Sequence, residues 1–253
     1  MLKVVSPIAL FVVFAMVWHL VVVTWSIPKV ILPGPLEVLR ALWEERWILL
    51  RGSWITLQAA AVALICSGLV GSMIAIVFSQ SAMLRVALYP YVIFLQTVPI
   101  VAIAPLLIIW SGNNFRTIVL VAVIISIFPV ISNVTSGLLS MNPNLTDLFR
   151  MQSASRWQTL WKLRVPAAIH QLVLGLKVSS GLSVIGAIVA EFFVGNSGEY
   201  DGLGTLMTAR QANLKTPELM AALIACTCLG ILLFVAVNLL GSTVFRRWTR
   251  SAG

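Results

Sequence analysis

Apolar residues fall in long continuous blocks, separated by short polar stretches. The blocks run from Pro7 to Val23 and from about Ser53 to Phe78, Leu84 to Trp110, Arg116 to Leu138, Ala167 to Val194 and Pro217 to Phe245. Each approaches or exceeds the roughly 20 residues that a helix needs to cross a hydrocarbon core about 30 Å thick. The pattern predicts an all-α polytopic membrane protein with six transmembrane helices. A β-barrel is excluded, because it would alternate polar and apolar residues in segments of about 10. The first block also invites a reading as a signal peptide. Its length exceeds the usual apolar region of about 7–15 residues, and Thr24-Trp25-Ser26 makes a weak cleavage site.

Finer patterns sit inside the blocks. In the second, Ala59, Ala63, Ser67, Gly71, Ala75 and Ser79 recur every fourth residue. In the fifth, Gly175, Ser179, Ser183 and Ala187 do the same, and Glu191 continues the row. Small residues on one face let helix backbones approach closely in lipid, so both rows predict helix–helix seams. The third block carries Pro90, Pro99 and Pro105. Each proline removes a backbone hydrogen bond, which predicts a bent helix beside a pathway, or a kink used only for packing. Lys177 and Glu191 are the charges inside the fifth block. Ionisable groups at membrane depth are functional candidates by default: Lys177 for attracting anions, Glu191 for gating or a structural bond.

Two polar stretches have a pattern of their own. After Ile31-Leu32-Pro33-Gly34-Pro35, the residues Leu36, Leu39, Trp43, Trp47 and Leu50 lie opposite Glu37, Arg40, Glu44 and Arg51. This predicts an amphipathic helix in the outer interface. Met141 to Pro166 is a polar island with Arg150, Arg156, Lys162 and Arg164 against a single acid, Asp147. Asn142-Pro143 suits a helix start, and Ser155 with Gln158 forms a capping-box pattern. The island therefore predicts helix, turn, helix, ending at Pro166. The chain divides into a first span plus outer helix (1–52), a five-helix core (53–245) and a basic tail (246–253).

Composition agrees and adds a direction. Of the 253 residues, 60% are hydrophobic and 10% charged, with mean hydropathy +1.01; soluble domains carry about 25% charged residues. The net charge of +9 comes without the aromatic–basic interleaving of nucleic-acid binders. With Lys3 inside, the island and the tail, the two densest basic clusters, share its side, which predicts cytoplasmic termini. Cys66, Cys226 and Cys228, like His19 and His170, show no metal-ligand spacing, so no metal or cofactor is expected. No Gly-x4-Gly-Lys-Ser/Thr loop is present, which excludes ATP binding of that kind.

The island resembles the cytoplasmic coupling loop of permease subunits of binding-protein-dependent ABC importers. That motif is Glu-Ala-Ala, three residues, Gly, nine residues, Ile, one residue, Leu-Pro. The matching positions are Asp147-Leu148-Phe149, Ser153, Leu163 and Val165-Pro166. Further segments are similar to the nitrate, sulfonate and taurine branch: Leu32-Pro33-Gly34-Pro35, Pro99 to Leu106 with Trp110 and Gly112, Ser155-Arg156-Trp157-Gln158, Gly175-Leu176-Lys177, Ala190-Glu191 and Gly202-Leu203-Gly204. The resemblance implies a type I importer permease (MetI-like) fold in the cell inner membrane, and no enzyme activity of its own. It implies three protein partners: a separate ABC ATPase subunit inside, an extracytoplasmic solute-binding protein outside, and a second permease copy in a homodimer. Asp147, Leu148, Phe149, Arg150, Ser153, Leu163 and Pro166 would form the ATPase-coupling loop; Pro99, Pro105, Lys177 and Glu191 are pathway or gating candidates. The cargo would be a small anionic or heterocyclic solute. Leu148-Phe149 places bulky groups where the family has alanines, and Ser153 stands where a glycine would suit a left-handed turn. A stand-alone channel or secondary transporter is the alternative, without the inverted repeat or midplane acids it might show. Gly181-Leu182-Ser183-Val184-Ile185-Gly186 breaks the spacing of a nucleophile elbow.

Overall fold

The computed structural model describes residues 2–194 and 201–243, with side chains from Ala9 onward. The basic tail and residues 195–200 lie outside the described residues, as does the Lys3 side chain. Every regular element described is helical. They are α1 (Leu2–Thr24), α2 (Pro35–Glu44), α3 (Arg46–Gln80), α4 (Ala82–Thr97), α5 (Ile100–Ser111), α6 (Phe115–Leu139), α7 (Pro143–Met151), α8 (Arg156–Thr159), α9 (Val165–Val194), α10 (Leu203–Ala212) and α11 (Thr216–Thr243). A π-helical turn over Leu160–Arg164 joins α8 to α9. Four helical runs are long and apolar enough to cross a membrane, or five if α4 and α5 together make one span.

The bundle is built on α3, α6 and α9, and the two small-residue rows are its seams. Ala59, Ala63, Ser67, Gly71, Ala75 and Ser79 are all buried, as are Gly175, Ser179, Ser183, Ala187 and Glu191. The approach is close enough to need the missing side chains. A Cβ on Gly71 would lie 2.9 Å from Val130, and one on Gly186 would lie 2.6 Å from the Ala122 Cα. Hydroxyls bind the seams where they meet: Ser67 and Ser126 share a hydrogen bond of 2.7 Å, and Ser179 donates to the Ser126 carbonyl at 2.6 Å. Inside lipid no water competes for these groups, so each satisfied donor fixes helix register.

Around this core, α10 and α11 pack on α9, α2 packs on α11, and α4 and α5 pack on α6. The outward surfaces of α1, α3, α4 and α11 remain apolar and exposed, as lipid-facing surfaces are.

Three local expectations are corrected. The expected bent helix Leu84–Trp110 is two helices meeting at 98°. Val98 is extended (φ −69°, ψ 128°) and Pro99 caps α5, as expected for a residue forced out of helical geometry by the proline after it. Pro90 and Pro105 stay inside α4 and α5. The amphipathic outer helix is interrupted at Glu45, so Trp47 to Arg51 belong to the long helix α3. The island's second helix does not stop at Pro166 but continues into α9, giving 39 helical residues from Arg156 to Val194. Pro166 has no N–H to offer, and the Val165 N–H reaches five residues back to the Leu160 carbonyl. A single widened turn absorbs the mismatch without ending the helix.

Candidate functional site

The island forms a helix, a turn and a second helix, with the caps its sequence predicts. The Asn142 side chain accepts the Asn144 N–H at 3.0 Å, and Pro143 opens α7. At the second start, Ser155 and Gln158 cap one another reciprocally, at 3.2 and 2.8 Å. Between them Ser153 adopts φ 54°, the left-handed conformation that glycine takes without strain. The position matched to the family's glycine therefore has the conformation that explains a glycine there.

No residue of α7 is buried. Leu145, Leu148 and Met151 are exposed, Met151 at 86%; Phe149 is half-buried, and Asp147 and Arg150 are exposed. The Asp147–Arg150 contact is 3.8 Å and solvent-facing, too open to stabilise much. A short helix that leaves its leucines in solvent is not held by its own fold. The other half of the loop is firmly held. Leu160 is fully buried and packs with Ala75, Val130, Val134, Leu138 and Ala168, with Val165 against the cluster. Arg164 donates to the Ser79 carbonyl at the end of α3, at 3.2 Å. Leu163 and Pro166 are half-buried on this packed side. The loop thus has a free face on α7 and a lever, α8 through α9, roughly 58 Å long at 1.5 Å per residue.

At the far end of that lever sits Glu191, completely buried. Its carboxyl group accepts from Thr56 Oγ1 at 2.9 and 3.0 Å and from the Gly204 N–H at 2.7 Å. Thr56 Oγ1 in turn accepts the Leu203 N–H at 2.9 Å. The first amides of α10 are therefore capped by side chains from α3 and α9, which satisfies donors that a helix start leaves open. The two glycines make room for it. A Cβ on Gly202 would overlap the Glu191 carboxyl group, and one on Gly204 would lie 2.5 Å from the Ile188 carbonyl. A second clasp holds the other end of α10: Arg210 grips Glu45 through both guanidinium and carboxyl forks, at 2.7 and 3.2 Å.

The remaining candidates are dispersed. Pro99 and Pro105 are exposed on the broken pair, and Lys177 is half-buried on α9 with no side-chain hydrogen bond among the described residues. Nothing brings Glu191 and Lys177 into contact. Sequence reasoning missed Thr56, Glu45 and Arg210. The Gly-Leu-Gly spacing before a helix start was the one available signal for the Glu191 cage. Among the described residues no cluster of His, Cys, Asp and Glu is disposed to hold a metal ion.

Residues 67–250 match the family of binding-protein-dependent transport system inner membrane components. The chain belongs to that family. It is a multi-pass inner-membrane permease subunit, a class that carries out no catalysis itself and works with an ATPase and a solute-binding protein. It is 29% identical to a probable ABC transporter permease protein of Haemophilus influenzae, over 94% of this chain and 95% of that one. It is 27% identical to the formylaminopyrimidine transport permease protein ThiX of Halalkalibacterium halodurans, over 92% of both chains. It is 29% identical to the riboflavin transport system permease protein RibX of Chloroflexus aurantiacus, over 92% of this chain and 86% of that one. Permeases named for aliphatic sulfonates, nitrate and taurine, at 25–27% identity, mark the same branch. Among solved structures, a chain of the MetNI methionine ABC transporter in inward facing conformations superposes with TM-score 0.62 at 17% identity, covering 81% of this chain and 98% of that one. The permease therefore has a MetI-type fold.

Proposed function

We propose that the permease crosses the membrane six times with both termini in the cytoplasm, and that two copies form the pathway. In this arrangement α1 is the first span, α4 and α5 share the third, and residues 141–166 dock in a groove of the ATPase subunit. The observation that carries the reading is the division of the loop. The exposed leucines of α7 need a partner, while α8 is one body with α9, so a push on α7 moves the whole lever.

The mechanism follows from the two ends of α9. When the ATPase subunits close, α7 is displaced and takes α8 and α9 with it. The Glu191 end carries α10, whose capped amides tie it to both α9 and α3. Motion of the lever is thereby passed to α10, beneath the docking face of the solute-binding protein. Glu191 serves to position α10, and its burial withdraws it from the solute path. Pro99, Pro105 and Lys177 are assigned to the pathway side. The pathway would carry a small anionic or heterocyclic solute, since relatives that match over most of this chain are named for formylaminopyrimidine, riboflavin and aliphatic sulfonates.

Reconstitution tests the reading. Proteoliposomes holding the permease, its ATPase and the binding protein should accumulate solute only with ATP and with all three proteins. Uptake by the permease alone would establish a channel or secondary transporter instead.

A further inference from the structure

On the loop side of the bundle a cavity of about 500 Å³ lies between the end of α3 and the helical run that opens α9. Its walls bring together Arg150, Arg156 and Arg164 with Ser79, Gln80 and Thr159. Among the described residues no carboxyl group lines it. Arg164 spends one donor on the Ser79 carbonyl, and Arg150 meets Asp147 only at 3.8 Å. The Arg156 guanidinium has no partner among the described residues. The Ser79 and Thr159 hydroxyls already donate to the Ile76 and Ser155 carbonyls, and the Gln80 amide spends one N–H on Ser79 Oγ and keeps the other. Three arginine forks facing one polar space, with that amide N–H beside them, suit the oxygens of a phosphate group.

The depth of the cavity identifies the source. Ser79 and Gln80 are the last residues of a span, and Arg164 immediately precedes the next. Trp157 and Trp161, four residues apart on the same helical run, are exposed at 66% and 57%. Exposed indoles beside span ends are the signature of the headgroup layer. Basic pockets between span ends on the cytoplasmic side suit anionic lipid headgroups. The geometry points to a site for the phosphodiester headgroup of an anionic phospholipid of the inner leaflet, with its acyl chains lying along the α3 and α9 flank. The lipid would bridge the lever and α3, because Arg150 and Arg156 belong to the loop while Gln80, with its remaining amide N–H, belongs to the core. The site rests on residues 141–166 lying at the inner membrane edge and not on ATPase docking. Its test reads lipid binding, so its failure is distinct from a failure of coupling.

The test is native mass spectrometry of the full-length permease in detergent, titrated with phosphatidylglycerol or phosphatidylcholine. Phosphatidylglycerol should bind more tightly, and the double variant R150Q/R156Q should lose about tenfold or more of that affinity. Arg164 is left intact because it also holds α3. Lys162→Gln, on the same loop but outside the cavity walls, should change binding by less than about twofold. Glycerol 1-phosphate, the free headgroup fragment, should compete only at high concentration. Four results would overturn the proposal: equal binding of the two lipids, equal loss in Lys162→Gln, arginine-dependent binding of inorganic phosphate with none of the lipid, or weakened ATPase association in R150Q/R156Q with lipid binding unchanged. The last would assign the arginines to carboxyl groups of the ATPase.

Discussion

Replacing Glu191 with alanine removes the acceptor that closes the outer end of α9. Two donors lose their partner at once: the Thr56 hydroxyl and the Gly204 N–H, the latter bonded at 2.7 Å. Glu191 is fully buried. A buried donor left unsatisfied costs about 1–3 kcal/mol, so two amount to roughly 2–6 kcal/mol before any loss of packing. In a chain of this size 1 kcal/mol moves the midpoint by about 2–4 °C, so the shift should be on the order of 5–20 °C. Glu191→Gln keeps one acceptor oxygen and should fall between. The assay is thermal unfolding of the purified permease in detergent, with amide exchange read at Leu203 to Leu206. Both measurements should move together, because the lost bonds are those that cap α10. An unchanged midpoint with unchanged protection in Glu191→Ala would refute the cap. Normal stability with abolished uptake would return Glu191 to the solute path.

Other consequences follow from single positions. Gly204→Ala should lose about 1–3 kcal/mol, since the added methyl meets the Ile188 carbonyl at 2.5 Å, whereas Gly181→Ala, with open space around it, should be neutral in the same melt. Ser153→Gly should stabilise the loop by about 1 kcal/mol by relieving the φ of 54°, read as slower proteolysis between α7 and α8; faster cleavage would contradict it. The hydrogen-bonded ion pair with Lys29 holds the Glu37 carboxyl below its ordinary value of 4.5. A depressed carboxyl contributes stability above its unfolded value and loses it as pH falls through the folded one. Protection at the start of α2, corrected for intrinsic exchange, should thus be constant near neutrality and fall only below about pH 4.5, with Lys29→Gln removing the acid-dependent part.

The helix seams were legible because their cause is local: a row of small residues every fourth position marks a close contact whichever helix supplies the other side. The caps of α7 and α8 were legible for the same reason. Pro99 announced a disturbance but not its size, since the 98° turn depends on how α5 packs against α6. The continuity of α8 with α9 was hidden because Pro166 suggests a stop, and a π-helical turn leaves no mark in residue periodicity. Of the Glu191 cap, only the carboxyl group itself and the Gly-Leu-Gly spacing were visible in the sequence. Thr56 lies 135 residues away, and an unexceptional threonine in an apolar block gives no sign of a distant carboxyl group. The arginine cavity was half visible: the island's charge was evident, but not that Ser79 and Gln80 complete its walls.

Coupling by this loop requires that α7 meet the ATPase. It is tested most directly by placing a photo-crosslinking amino acid at Leu148, which is 50% exposed, in the assembled transporter. Docking of α7 should give a crosslinked product containing the permease and the ATPase subunit, whose yield changes when ATP is bound. A product formed only with lipid or with the solute-binding protein, and none with the ATPase, would contradict it.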